Sequence, residues 1–417
     1  MKIAVIGAGI VGVTTAYELG RDGHAVTVFE RRGSAAEETS FANAGIIAPG
    51  YVTPWAAPGM PGKVLKQLLK RHAGIRVSLP LGRDELAWMW RWYRCCQLDR
   101  YMTNRAHLRR LAFYSRARLH AIRGDLRLEY DRSDGYMVLL RTDRDRELVQ
   151  PSLQVLREAG VAFRLLEPDH ARMVEPALNT DTPFAAAVQL PDDEVGNCRQ
   201  FALLLKNEAQ RIGVQFRFNC AIDGVAFQPM PSLRIQGEAE PTPFDAVIVC
   251  AGIASAPLLA SLGIRLPLVA VHGYSISATI KEPLNAPRSA VMDEHYKVAI
   301  SRLGNRVRVA GGAEIGGEPA VKRIASLRTL YKVLQDWFPG AANTSSGVQE
   351  WKGARPMLPD GPPVVGASGR TGLWVNLGHG SSGWALSCGS ARALADQIAG
   401  KEPEIDMQGF DIARLAN

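Results

Sequence analysis

Near the start of the chain, six residues have the types and spacing to hold a pyrophosphate. Gly7-Ala8-Gly9-Ile10-Val11-Gly12 reads G-x-G-x-x-G, directly after the apolar run at residues 2–6. Gly7 permits a tight turn, Gly9 lets phosphate approach the backbone, and Gly12 lets helix and strand pack closely. Free N–H groups at the start of a helix beginning near Ile10 favour the anion. A second apolar run, residues 25–30, ends at Glu30. That carboxylate accepts from a ribose diol and repels a 2′-phosphate. The expected ligand is an adenine dinucleotide, FAD or NAD, and not NADP.

Two later stretches separate FAD from NAD. Residues 244–252 (FDAVIVCAG) put an acidic residue before a buried run that ends in Ala251-Gly252. Residues 372–383 (GLWVNLGHGSSG) supply a second strand and Gly-rich helix start, far along the chain. A flavin ring and its ribityl chain extend beyond the ADP half and need such a distant second cradle, whereas simple NAD enzymes keep a contiguous fold. FAD is the expected cofactor.

The elements that must carry these residues alternate in type. Strands are expected at 2–6, 25–30, 136–140, 184–190, 214–218, 244–250 and 373–377. Helices are expected at 10–21, 144–160, 199–213, 324–338 and 384–399, with loop over 37–62 and mostly helix over 63–124. Residues 266–309 read as strand-rich. The α/β units lie at both ends of the sequence. This predicts a discontinuous Rossmann-like FAD-binding domain (1–50, 196–262 and 353–417). A second, substrate-binding domain (51–195 and 263–352) is built on a mainly antiparallel sheet plus helices.

Composition narrows the class. The chain has 417 residues, 47% hydrophobic and 22% charged, which fits a packed protein and excludes wholesale disorder. No apolar run approaches the ~20 residues of a membrane helix. The six cysteines contain no C-x-x-C pair, so neither a disulfide scaffold nor a metal site is expected. Met1 runs straight into the first strand, leaving no room for a signal peptide, so a reduced, cytoplasmic location is expected. The net charge of +8 is uneven: residues 61–124 hold 15 Lys/Arg against 3 Asp/Glu, together with Trp88, Trp90 and Trp92. Residues 63–72 (KVLKQLLKRH) put Val64, Leu65, Leu68 and Leu69 on one helical face and most lysines on the other. Such a helix either suits an anionic membrane surface or packs on the core with a solvated outer face.

Several motifs carry a family resemblance. They are Glu38-Thr39-Ser40-Phe41-Ala42-Asn43-Ala44-Gly45, then Gly50-Tyr51 with Pro54-Trp55-Ala56-Ala57-Pro58-Gly59, Gly273-Tyr274-Ser275, and Tyr296-Lys297-Val298-Ala299-Ile300. Gly311-Gly312-Ala313-Glu314, Gly353-Ala354-Arg355-Pro356 with Pro359-Asp360-Gly361, and Gly378-His379-Gly380 with Gly383-Trp384 complete the set. The chain resembles, nearly end to end, the FAD-dependent D-amino acid oxidase and glycine oxidase superfamily, and within it the bacterial D-amino acid dehydrogenase branch.

The resemblance implies oxidative deamination of D-amino acids to 2-oxo acids and ammonia by hydride transfer to flavin. Electrons would pass to a quinone or other respiratory acceptor, with the protein peripheral on the inner membrane. It implies cofactor contacts at Gly7, Ala8, Gly9, Ile10, Val11, Gly12, Glu30, Arg31, Ser40, Asn43, Ala44, Gly45, Ile46, Val225, Ala251, Gly252, Gly378, His379, Gly380, Ser381 and Gly383. Arg355 is expected to hold the substrate carboxylate bidentately, and Tyr274 to donate to the same group. Tyr296, Tyr51 and His379 are further substrate contacts, with Trp55 a pocket wall. No Cys lies near Arg355 and no His in residues 37–50, so the FAD is expected to be non-covalent. The alternatives on the same scaffold are a D-proline or hydroxy-D-proline dehydrogenase and a glycine or sarcosine oxidase. Of another class is an FAD-bearing RNA-binding or RNA-modifying protein, but no RNA-recognition motif is present and no nucleic-acid partner is expected.

Overall fold

The computed structural model describes residues 1–67, 72, 74–227 and 230–415. Its first sheet is built around β1 (Lys2–Ile6), four of whose five residues are buried. Burial on both faces is the signature of a central parallel strand. β1 pairs in parallel with β2 (Ala25–Phe29) on one side and with Ala246–Val249 on the other, Ile3 opposite Ala246 and Val26. The six-stranded order is Val364–Ala367, Leu373–Leu377, Ala246–Val249, β1, β2, Gln215–Arg217, parallel except for the first. One face is covered by α1 (Ile10–Arg21) with helices Leu98–Leu126, Cys198–Arg211 and Gly383–Ile398. A three-stranded sheet and helix Ser255–Ala260 cover the other. The expected Rossmann-like unit is therefore present, assembled from distant parts of the chain.

A buried ionic knot ties the helices of that layer together. Glu18 on α1 accepts from Arg118 at 2.6 and 2.7 Å and from Arg392 at 2.9 Å. Arg392 also binds Asp22 and Asp396. Two helices whose N-termini follow the Gly-rich turns are thus held at a fixed mutual angle.

The second sheet has ten strands and is mainly antiparallel, as expected. Its path runs Gln349–Met357, Val269–Thr279, Arg306–Gly316, Val298–Leu303, Ala290–Asp293, Ser133–Leu140, Ala186–Val195, Ile46–Ile47. Ile75–Ser78 and Arg164–Leu166 flank it. Residues 46–47 and 353–357, assigned from sequence to the nucleotide-binding unit, pair in this sheet instead. Helix Ile324–Trp337 packs on one side, against Ile276, Ile300 and Val309. On the other side lie helix Arg83–Cys95, against Val269, Val271 and Met357, and helix Asp143–Glu158, against Val138 and Val188.

The described residues of 63–124 are mostly helical, as expected, and Ile75–Ser78 adds a short strand to the sheet edge. Trp88 and Trp92 are core residues, stacked on each other, and Trp88 Nε1 donates to the Met357 carbonyl. Trp90 alone of the three faces outward. The short helix is Met60–Gln67, with Val64 turned inward and Leu65 exposed beside Lys63 and Lys66. Leu68 and Leu69 lie outside the described residues.

Candidate active site

The first turn is built as its glycines require. Gly7 has φ +104°, and a Cβ there would meet the Cys250 carbonyl at 2.7 Å. A Cβ on Gly12 would sit 1.9 Å from the Gly7 carbonyl oxygen. Glu30 anchors the turn, accepting from Ala8 N–H at 2.8 Å and Arg32 N–H at 2.9 Å. A carboxylate has further acceptor positions, so this one can also face a ribose. Arg31 lies beside it, paired with Glu38 at 2.9 Å. Val225 packs its side chain into the apolar layer beneath the sheet, with Leu233 and Ile235. Ala251 and Gly252 follow the strand Ala246–Val249 into a helical turn beside Gly7.

The segment at residues 38–47 bridges the two sheets. Ser40 Oγ accepts from Ile10 N–H at 3.0 Å, which puts Ser40 over the start of α1. Thr39 donates to the Ala354 carbonyl, and Phe41 lies 4.7 Å from the Trp351 ring. Asn43, Ala44 and Gly45 rest on the ten-stranded sheet and on Trp384. Ile46 pairs with Val195. The second turn arrives at the same place, because Met357, two residues past Arg355, bridges to His379. Gly378 and Gly380 have φ +77° and +58°, a region open to glycine. Ser381 is exposed at the turn. Sequence positions 7–12, 38–46, 353–357 and 378–383 therefore converge.

These residues fit a flavin dinucleotide. Neither α1 nor helix Gly383–Ile398 has a side-chain N-cap or an acidic residue in its first turn. Both starts keep N–H groups for a ligand. On this face of the ten-stranded sheet, Ser275 Oγ, Tyr51 Oη and Arg308 Nε are buried without a hydrogen-bond partner among the described residues, which is the mark of polar groups awaiting one.

Arg355 occupies this space as an unpaired cation. Its Nη1 donates to the Gly312 carbonyl at 2.8 Å, and no carboxylate among the described residues forms a salt bridge with it. A Cβ on Gly273 would strike its guanidinium, so only glycine lets the arginine lie across that strand. Burial draws its pKa down to about 10, so it remains cationic at neutral pH. Tyr51 packs edge-on against Tyr136 in the cluster that contains Ile46. Trp55 packs with Val271, the strand neighbour of Arg355. Arg355, Tyr51 and Trp55 share one side of the sheet.

Three expected substrate contacts lie elsewhere. Successive side chains of a strand alternate faces. Val271 and Gly273 face Arg355, so Tyr274 points the other way, into the cluster under helix Ile324–Trp337. There its hydroxyl donates to Glu314, which also accepts from Ser78 and Arg323 and lies 3.3 Å from Lys352 Nζ. Burial opposes the charge on Glu314, but these bonds prevail and hold its carboxyl down to about 2. Tyr274 is thus committed to a buried anion and not to a substrate. Tyr296 belongs to the same far cluster, its ring flanked by Arg141 and Lys332 at 5.0 and 5.3 Å. His379 turns its ring inward, Nε2 3.0 Å from Ser390 Oγ, and burial lowers its pKa to about 3. It is neutral and offers a substrate no ring contact. In the sequence Glu314 stands out only as the end of the Gly311–Glu314 motif, with no role assigned to it, and Arg308 does not stand out. The alternation Arg306-Val307-Arg308-Val309, a charge within an otherwise apolar strand, was the available signal.

A pyrophosphate turn heading a parallel sheet, a second glycine turn, and a lone cation on a neighbouring antiparallel sheet define a flavin-dependent oxidoreductase. The chain belongs to the FAD-dependent oxidoreductase (DAO) family, whose model matches residues 2–397. It is 42% identical to the D-amino acid dehydrogenase of Bradyrhizobium diazoefficiens over 421 residues, covering 100% of this chain and 99% of that one. Its fold is similar to glycine oxidase from Geobacillus kaustophilus (21% identity, TM-score 0.79, 99% of this chain and 98% of that one). It is also similar to glycine oxidase from Bacillus cereus (18% identity, TM-score 0.74, 96% of each chain). Among the described residues no helix is long and apolar enough to cross a membrane, and no group of residues is placed to hold a metal ion.

Proposed function

We propose that this chain oxidises D-amino acids to 2-oxo acids and ammonia. The observation that carries the reading is Arg355, an unpaired cation held over Gly273 where both glycine turns converge. An α-carboxylate matches it in charge and in planar geometry. The name of the 42% identical relative supports the same substrate class. FAD, when bound, supplies the hydride acceptor. Arg355 fixes the substrate by its carboxylate, and Gly273 leaves the strand bare beneath it. Tyr51 and Trp55 wall the space and exclude water. The Gly7–Gly12 and Gly378–Gly383 turns hold the cofactor, with Ser40 and Asn43–Ile46 beside it. Anaerobic addition of D-alanine is expected to bleach the flavin absorbance of purified protein, and L-alanine to leave it. Bleaching by glycine or sarcosine alone would shift the assignment to an oxidase of those substrates.

The electron acceptor in this reading is a membrane quinone, reached by resting on an anionic bilayer from the cytoplasmic side. Support comes from one stretch of the chain. Leu65, Leu79, Leu86, Trp90, Tyr93, Leu98 and Met102 are all exposed, within fewer than forty residues of sequence. Trp90 and Tyr93 stack at 5.9 Å. Lys63, Lys66, Arg83 and Arg94 are exposed among them. Each such cation adds ~1 kcal/mol near an anionic surface, screened by salt, and aromatic rings anchor at headgroup depth. Sedimentation with anionic vesicles is expected at low salt and is weakened at high salt. Turnover is expected to be slow with O2 and fast with quinone analogues. Rapid peroxide formation without vesicle binding would make the region an ordinary solvated surface.

A further inference from the structure

Arg308 is 8% exposed, and its Nε is buried without a partner. Among the described residues its Nη1 reaches only the Asn43 carbonyl, at 3.3 Å. The charged neighbours bring no relief. Arg306 bonds to Ser277, Arg199 lies over the Phe41 ring at 4.5 Å with its own Nε unpartnered, and the adjacent Cys198 is a buried thiol. Among the described residues no carboxylate forms a salt bridge with any of these three arginines. Burial draws the Arg308 pKa down to about 10, so it stays charged at neutral pH. An uncompensated buried cation is costly. A fold retains one where an electron-rich group comes to face it.

What Arg308 touches indicates which group. It sits opposite Ser277 and Ser301, on the same side of the sheet as Ser275 and Arg355. Ser301 Oγ donates to the Ala44 carbonyl at 2.7 Å. The Gly45 carbonyl accepts from Trp384 Nε1 at 3.2 Å and from Gly196 N–H at 2.9 Å. Three successive carbonyls, 43, 44 and 45, are therefore pinned by donors from a strand pair, a helix and a loop. The backbone of this segment is fixed, and a positive charge stands directly behind it.

We propose that Arg308, with Ser301, is a positioning residue that fixes the Asn43–Gly45 segment against the flavin and, through its charge, raises the flavin's reduction potential. The inference rests on FAD lying against residues 43–45. Reduction adds electron density to the flavin, and a preorganised cation in a water-poor site favours that state over the oxidised one.

The test is the two-electron potential of the purified holoenzyme, measured anaerobically against reference dyes. Arg308→Met is expected to shift the reduction equilibrium ten- to a hundredfold toward the oxidised form, ~30 mV for each factor of ten. Arg308→Lys keeps the charge and is expected to retain most of the wild-type potential. An Arg308→Met holoenzyme with unchanged potential overturns the proposal. Should Arg308→Met not hold FAD, Arg308→Gln takes its place, since it keeps a donor for the Asn43 carbonyl without the charge. If both neutral variants lose FAD while Arg308→Lys keeps it, the requirement for charge stands. If Arg308→Lys loses it as well, Arg308 is a packing residue only and the proposal fails. A wild-type protein without FAD would overturn the underlying functional reading instead.

Discussion

Arg355→Ala is expected to lower kcat/KM for D-amino acids by about 3 kcal/mol, roughly a hundredfold, the usual result of truncating one partner of a buried charge pair. The substrate carboxylate would lose the cation that lies over Gly273 and would sit desolvated without a partner. Folding should not suffer. Among the described residues the guanidinium has no ionic partner, and its one hydrogen bond there is to the Gly312 carbonyl. Removing a buried, unpaired charge relieves desolvation and does not strand a counter-ion. The flavin spectrum and thermal midpoint are therefore expected to stay near wild type while turnover collapses. Steady-state kinetics on D-alanine, with a melting curve on the same preparation, check both halves. Near-normal turnover in Arg355→Ala would show that another group holds the carboxylate.

Gly12→Ala is expected to yield mostly apoprotein. Its Cβ would sit 1.9 Å from the Gly7 carbonyl oxygen and 2.9 Å from the attached carbon. Both are backbone atoms, so no rotamer change relieves the clash. α1 would have to move off β1, carrying with it the N–H groups at the head of the helix. Overpacking of this kind costs about 3 kcal/mol when the neighbours are rigid, and here they are also bound into the Glu18–Arg118–Arg392 knot. Gly9 is the milder position. A Cβ there meets only Ser40 Oγ, at 3.4 Å, so its substitution acts on the ligand's approach and not on the fold. FAD released by heat, measured per mole of chain, distinguishes the two: Gly12→Ala should lose both FAD and melting temperature, and a Gly9 variant chiefly FAD. A Gly12→Ala protein with full FAD and a wild-type melt would contradict the packing argument.

The parts legible in the sequence are those whose physics is local. A turn that needs glycine at fixed offsets, flanked by a buried strand and a helix start, can be read from about thirty residues, and the Gly7–Gly12 turn and Glu30 were. So were most strands and helices, because their periodicities are short-range. Side-chain direction on the second sheet was not. Tyr274 follows Gly273 by one residue, and one residue decides which side of a strand a ring lies on. An extra residue in Arg306–Gly316 opposite His272–Tyr274 disturbs the register further. The partner that claims Tyr274, Glu314, is forty residues away and appears only once the strands are paired. The placement of the tryptophans is local too. Positions 88 and 92 share a helical face and position 90 opposes them, so Trp90 alone was available to solvent. Residues 46–47 and 353–357 show the limit for domain boundaries. Each is a continuous stretch of strand or loop, with no composition change where it passes from one sheet to the other.

The strand order of the first sheet sets a timetable for synthesis. The neighbour of β1, Ala246–Val249, follows it on the ribosome by some 240 residues, and Leu373–Leu377 by some 370. At ~5–20 residues per second, the wait for the last parallel strand is roughly 20–75 s. Until Gln215–Arg217 and Ala246–Val249 emerge, β1 and β2 expose apolar faces and unpaired edges, the condition that recruits chaperones and invites aggregation. The second glycine turn emerges later still, so the two halves of the dinucleotide cradle come together only after residues 378–383 are made. A truncation that removes residues 364–398 would take away both the sheet's last strands and the turn that closes on the flavin.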